Sequence, residues 1–142
     1  MKISIDSNCF GNLNFIDFLI EHRNNFEIHL SIIVFIETLI WYKLRGLKFD
    51  DFDTDLKELK VKIDSLTEEI GKKISDIAIT KNKTFPFNIH ARDYFIGMIA
   101  DFNDSTLITY NVKHFDWLQK DVLTPEELVK SFSDLEPNFN AN

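Results

Sequence analysis

Short β-branched stretches alternate with amphipathic ones along this chain, and that alternation leaves few folds open. Ile3 and Ile5 alternate with smaller or polar residues, as do Glu27-Ile28-His29-Leu30, and Leu59, Val61 and Ile63 alternate with Lys60 and Lys62. Thr106 to Thr109 and Val122-Leu123 complete five strand-like stretches. Between them, spacings of three and four predict helices from Asn12 to Arg23, from Ile33 to Arg45 and from Thr67 to Lys81. A further helix begins at about Tyr94, and Thr124-Pro125 opens the last, with Thr124 as N-cap. Lys48 to Asp55 reads as an acidic loop or short helix start, and Asn82 to Asn88 as a loop. Strand and helix in turn imply an α/β fold, a three-layer α/β/α sandwich around a mostly parallel, roughly five-stranded sheet. Right-handed crossovers put the first strand near the middle with the fourth beside it. The lysine-rich third strand belongs near an edge. One domain spans 1–136, and 137–142 reads as a frayed tail.

Three acids fall where such a fold binds ligands. Asp6 ends the first strand, in Asp6-Ser7-Asn8, at the edge where open α/β sheets place their sites. As a purely local feature it would end the strand and cap the adjoining turn. Glu37 lies inside a helix with Ile33, Val34, Ile40 and Trp41 three and four residues away. On an apolar face its charge needs compensation by a metal ion or a functional cluster, unless it stretches to solvent, Lys43 or Arg45. Asp93 stands at or just inside the start of Tyr94-Phe95-Ile96-Gly97-Met98-Ile99-Ala100, either as a helix-start acid or as a third member of the cluster.

The formal net charge of −7 argues against a protein that coats duplex DNA through phosphate contacts. Nucleic-acid contact would have to be local, through a small basic rim or ions held by the acids. Arg92, Lys113, Lys43 and Arg45 flank the expected crevice as candidate phosphate contacts. The single Cys rules out an internal disulfide framework, and no apolar run reaches membrane-spanning length. The expectation is a soluble cytoplasmic protein. No zinc-like histidine spacing and no phosphate-cradling Gly-rich loop is present, and Cys9 reads as a small buried thiol.

Taken together, Asp6-Ser7-Asn8, Glu37 on its apolar helix, Asp93 before Tyr94-Phe95-Ile96-Gly97, and Leu107-Ile108-Thr109-Tyr110-Asn111-Val112-Lys113-His114-Phe115 resemble the PIN-domain family. More narrowly they resemble its small VapC-type toxins, over nearly the whole chain. The resemblance implies an endoribonuclease using Mg²⁺ or Mn²⁺, a small antitoxin partner and a homodimer. It implies Asp6, Glu37 and Asp93 as metal ligands, and Asn8 and Thr109 as groups that orient them. The family commonly has a fourth acid after the fourth strand; here Asn111 and His114 stand in that segment, with Asp116 just beyond as a substitute. Asn111 could ligate through its carbonyl oxygen without adding charge. A weakened PIN-like RNA- or protein-binding module is therefore a second reading. A receiver-like domain using the same acids is a third, disfavoured because no lysine comes closely after Val122-Leu123.

Overall fold

In the computed structural model, which describes residues 1–135, the central strand is the first one in the chain. Strands β1 (Lys2–Ile5), β2 (Glu27–Ser31), β3 (Lys62–Asp64), β4 (Thr106–Ile108) and β5 (Val122–Leu123) form one sheet, in the order β3-β2-β1-β4-β5. Every neighbouring pair is parallel. Helices α1 (Leu13–Glu21), α2 (Ile32–Leu44), α3 (Phe49–Glu58), α4 (Glu68–Lys81), α5 (Phe87–Phe102) and α6 (Pro125–Leu135) complete a three-layer α/β/α arrangement. α1 packs with α6, while α2 packs with α3 and α5, and α5 with α4. Burial of both sheet faces explains why Ile3, Ile5, Ile28, Leu30, Leu107 and Ile108 are all shut off from water.

The expected centre and edges of the sheet are borne out, and local chemistry fixes the helix starts. Asn12, Ser31 and Thr67 each cap a helix by accepting a backbone N–H through the side-chain oxygen. Thr124 and Glu127 form the reciprocal pair that opens α6. Three stretches differ from the sequence reading. Residues 48–55 belong mostly to a full helix, α3, whose buried contacts are Phe52 and Leu56, one turn apart. With so few apolar residues among Asp50, Asp51, Asp53 and Asp55, the periodicity is hard to see, although the acids suit a helix start. Leu59 caps that helix, and β3 is correspondingly shorter than the alternation suggests, entered through Lys60 at φ 53°. Finally, α5 begins at Phe87, immediately after Pro86, and is broken at His90 (φ −113°, ψ 20°), so Asp93 lies in the first turn of its second segment. The expected tail, 137–142, lies outside the described residues.

At the β2–β3 edge, buried His29 meets carboxylates at both ring nitrogens: Asp64 at 2.9 Å and Glu27 at 3.0 Å. Lys62 also reaches Glu27, at 2.9 Å. Hydrogen bonds from Lys62 and then His29 hold the Glu27 carboxyl down at about 2. A carboxyl whose pKa is lower in the folded state adds stability that is present above its ordinary value of 4.5 and is lost as pH falls toward 2. Denaturant titrations at pH 5 and pH 3 should therefore show the wild-type advantage over Glu27→Gln shrinking at the lower pH, and shrinking less in high salt.

Deeper in the fold, Gly97 lets α5 approach Trp117. A Cβ there would lie 2.8 Å from Cζ2 of this buried indole and 3.1 Å from Leu118 Cδ1. Alanine's helix preference, worth about 1 kcal/mol, is outweighed by an overpacking penalty of about 1–3 kcal/mol. Urea unfolding of Gly97→Ala should show a net loss of up to about 2 kcal/mol.

Candidate active site at the carboxyl edge of the sheet

Asp6 is fully buried where β1 ends, and its backbone N–H still bonds to the Ile108 carbonyl of β4 at 2.9 Å. The chain then turns through a 3-10 segment, Ser7–Cys9, for which Asp6 is the N-cap: Oδ1 accepts from Ser7 N–H at 2.7 Å. Oδ2 accepts from the hydroxyl of Thr109 at 2.7 Å, just beyond β4. Thr109 Oγ1 in turn accepts from Asn8 Nδ2 at 3.3 Å and from Asn111 N–H at 3.1 Å. Asp6 thus caps the local turn with one oxygen while its other oxygen reaches across to the end of β4. Asn8 holds Thr109, and Thr109 in turn donates to the carboxylate.

Glu37 projects from α2 to the same point. Its Oε1 lies 3.3 Å from Ser7 Oγ, which also lies 3.4 Å from Asp6 Oδ1. Its surroundings differ from the sequence expectation. The Glu37 side chain is 34% exposed, and Ile40 and Trp41 on its flank are exposed too; α2 buries Val34 and Thr38 instead. Its charge is compensated by Arg92, not by Lys43 or Arg45.

Arg92 is the centre of the cluster. Its Nε reaches Glu37 Oε2 at 2.7 Å, Nη1 reaches Asp93 Oδ1 at 3.0 Å, and Nη2 reaches Asp6 Oδ1 at 2.6 Å and Glu37 Oε1 at 3.0 Å. Nη2 also donates to Ser7 Oγ at 3.1 Å. Burial disfavours the guanidinium charge, but Glu37 and Asp6 outweigh it and raise the pKa further. Asp93 is nearly buried, and its Oδ2 lies 3.1 Å from His114 Nδ1. That contact ties the segment after β4 to α5, and within the segment Trp117 Nε1 donates to the His114 carbonyl at 2.8 Å.

Other candidate residues stand apart. Asn111 and Asp116 are exposed, bracketing a 3-10 turn over Val112–Phe115, and neither side chain bonds to the three acids among the described residues. Lys113 is exposed on that turn, and Lys43 near the end of α2. Arg45 lies over the Trp41 ring at 4.0 Å. It lines a cleft of about 360 Å³ with Ser7, Phe10, Glu37, Thr38 and Trp41, so the cleft opens directly beside the carboxylates. The buried Thr38 hydroxyl has no partner among the described residues. A larger apolar cleft, about 530 Å³ between α4 and α5, is lined by Ile74, Ala78, Phe87 and Phe95 and contains none of these acids.

Sequence reasoning places Arg92 on a phosphate-binding rim, and misses Ser7, His114 and Trp41 as parts of the site. For Arg92 the available signal is its position, next to an acid at the start of a helix aimed at the crevice.

The same architecture occurs in solved structures. Aligned on 87% of this chain and 97% of the other, VapBC2 from Rickettsia felis, in a crystal structure bound to a DNA fragment from their promoter, gives a TM-score of 0.57 at 18% identity. VapBC-1 from nontypeable Haemophilus influenzae, with the same coverage, gives 0.59 at 20% identity. The chain has a PIN-like fold. A Pyrobaculum aerophilum protein designated PAE2754 gives 0.56 at 18% identity over 94% of this chain and 99% of that one. No protein-family model matches the sequence, and no curated protein matches it. Among the described residues, no helix is long and apolar enough to cross a membrane.

Because Asp6 is buried, its hydroxyl partner matters. Thr109→Val should destabilise the protein by about 1–3 kcal/mol in urea titrations, since it leaves Oδ2 without that donor. Cys9 is also buried, and burial followed by the Asp6 charge pushes its thiol pKa far up. It should resist a disulfide-exchange reagent in native buffer and react at once in denaturant; fast native labelling would contradict this environment.

Proposed function

We propose that this chain is a metal-dependent endoribonuclease that hydrolyses RNA phosphodiester bonds and serves as the toxin of a toxin–antitoxin pair. The observation that carries the reading is the convergence of Asp6, Glu37 and Asp93, from three separate elements, on one positive group at the carboxyl edge of the sheet. The donors are carboxylate oxygens, the chemistry that Mg²⁺ and Mn²⁺ select. Around the guanidinium they are spread wider than an ion needs, and among the described residues no three acidic, His or Cys groups are gathered at ligating spacing. The donor set fits the ion in kind and in charge. A bound ion would supply an activated water and offset charge on the scissile phosphate.

The chain's own residues do the rest. Thr109 and Ser7 fix the two oxygens of Asp6, Asn8 holds Thr109, and His114 holds the outer oxygen of Asp93. Trp41 and Phe10 offer ring surface beside the acids, and Arg45 offers positive charge, which suits a single-stranded nucleotide in the cleft. With a net charge of −7, such local contacts are the ones available to RNA. Asn111 and Asp116 play no part in this assignment, and Lys43 and Lys113 remain rim contacts for phosphate.

Likeness to VapBC structures supports a small antitoxin partner, and the exposed row Ile36, Ile40, Trp41 and Leu44 on α2 gives it apolar surface beside the acids. A homodimer and a cytoplasmic location belong to the same reading. The weakened binding module is favoured by one observation, the exposed position of Asn111 where the family commonly has an acid.

Incubation of purified protein with total RNA and Mn²⁺ separates the two. Discrete cleavage should appear with wild type and fall about hundredfold or more in Asp6→Asn and Asp93→Asn, provided their circular dichroism stays native. RNA retention without cleavage would favour the binding module. Equal cleavage by wild type and both variants would remove these acids from the mechanism.

A further inference from the structure

We propose that Arg92 is a built-in cation that holds Asp6, Glu37 and Asp93 together and must leave them before a divalent ion can bind, so that metal loading is a displacement reaction. This rests on the reading of the carboxylates as metal ligands. The geometry points to it directly. One planar guanidinium commits Nε, Nη1 and Nη2 to the three acids whose oxygens an ion would require. Glu37 gives both its oxygens to Arg92, and Asp6 Oδ1 is taken up by Arg92 and Ser7. A guanidinium keeps carboxylates several ångströms apart around its edge, whereas Mg²⁺ draws oxygens to about 2.0–2.1 Å. Both cannot occupy the centre.

Departure is open to Arg92 without unfolding. Its side chain is 35% exposed, while the Asp6 side chain is sealed at 0%. Its backbone sits in the first turn of α5 after the break at His90, so a change of side-chain rotamer carries the guanidinium toward solvent while Asp93 stays in place. The freed group then stands at the rim of the carboxylate cluster, where a phosphate ester would lie. The phosphate role expected from the sequence and the pairing in the structure are thus two positions of one residue.

Competition sets the magnitude. The apparent metal affinity is the intrinsic one multiplied by the fraction of molecules in which Arg92 is out. Removing the guanidinium should therefore tighten binding, although it lowers metal-free stability by leaving the acids to repel one another.

The test is a calorimetric Mn²⁺ titration of wild type, Arg92→Gln, Arg92→Lys and Asp6→Asn, with melting curves in chelator. Arg92→Gln should bind Mn²⁺ about tenfold or more tightly than wild type, melt lower in chelator, and gain more thermal stability from added Mn²⁺. Arg92→Lys, with fewer donors, should fall between the two. In parallel, Mg²⁺ titration of ¹⁵N-labelled wild type should move the Arg92 Nε–H resonance from a protected, hydrogen-bonded position to a fast-exchanging one, a readout independent of whether any variant folds. Unchanged or weaker Mn²⁺ affinity in a folded Arg92→Gln overturns the displacement, as does an Arg92 resonance unmoved at saturating Mg²⁺. If wild type still binds Mn²⁺ and Asp6→Asn does not, the metal reading survives that failure. If no protein binds Mn²⁺, or Asp6→Asn binds it as wild type does, the metal reading itself falls and takes the displacement with it.

Discussion

A sealed carboxylate at the end of the central strand is the constraint on which this structure turns. Asp6 is shut off from solvent, so its charge has to be met by donors drawn from several elements around it. The 3-10 turn gives Ser7 N–H, β4 gives the Thr109 hydroxyl immediately past its last residue, and α5 gives Arg92. Those demands fix where β1, β4 and α5 meet. The parallel pairing of β1 with β4, with Ile5 beside Ile108, puts Asp6 and Thr109 on one edge. The same edge is the crevice in which open α/β sheets bind ligands, so the requirement of the fold and the opportunity for chemistry coincide.

Arg92 solves an electrostatic problem with a single side chain. Three carboxylates close together repel, and one guanidinium with five donors bonds all three, both Glu37 oxygens included, where a lysine's three donors would leave part of that set unmet. The pairing is partly solvated on the Arg92 and Glu37 side and closed on the Asp6 side. That asymmetry makes one end of the cluster permanent and the other exchangeable.

Much of this is legible in the sequence. Asp6, Glu37 and Asp93 each stand out by position relative to a strand end or an apolar helix, and the structure brings them around a single group. The central place of β1 beside β4 follows from strand–helix alternation and crossover handedness, and the edge place of β3 from its lysines. What stays hidden depends on side-chain reach and on tertiary packing. Whether Arg92 points inward or to solvent is a rotamer choice that no periodicity encodes. Glu37 reads as lying on a buried face because Ile40 and Trp41 are apolar, yet those two are exposed beside a cleft. α3 is obscured by its acids, which mask the Phe52–Leu56 spacing. Asn111 matches a motif in sequence, but only its backbone joins the network.

The most direct check is a crystal of the protein soaked in Mn²⁺ and measured at a wavelength where the ion scatters anomalously. A peak among the carboxylates of Asp6, Glu37 and Asp93, with the Arg92 side chain turned to the rim, is the outcome required here. Arg92 still seated among the three acids, with manganese absent or bound elsewhere, would contradict it.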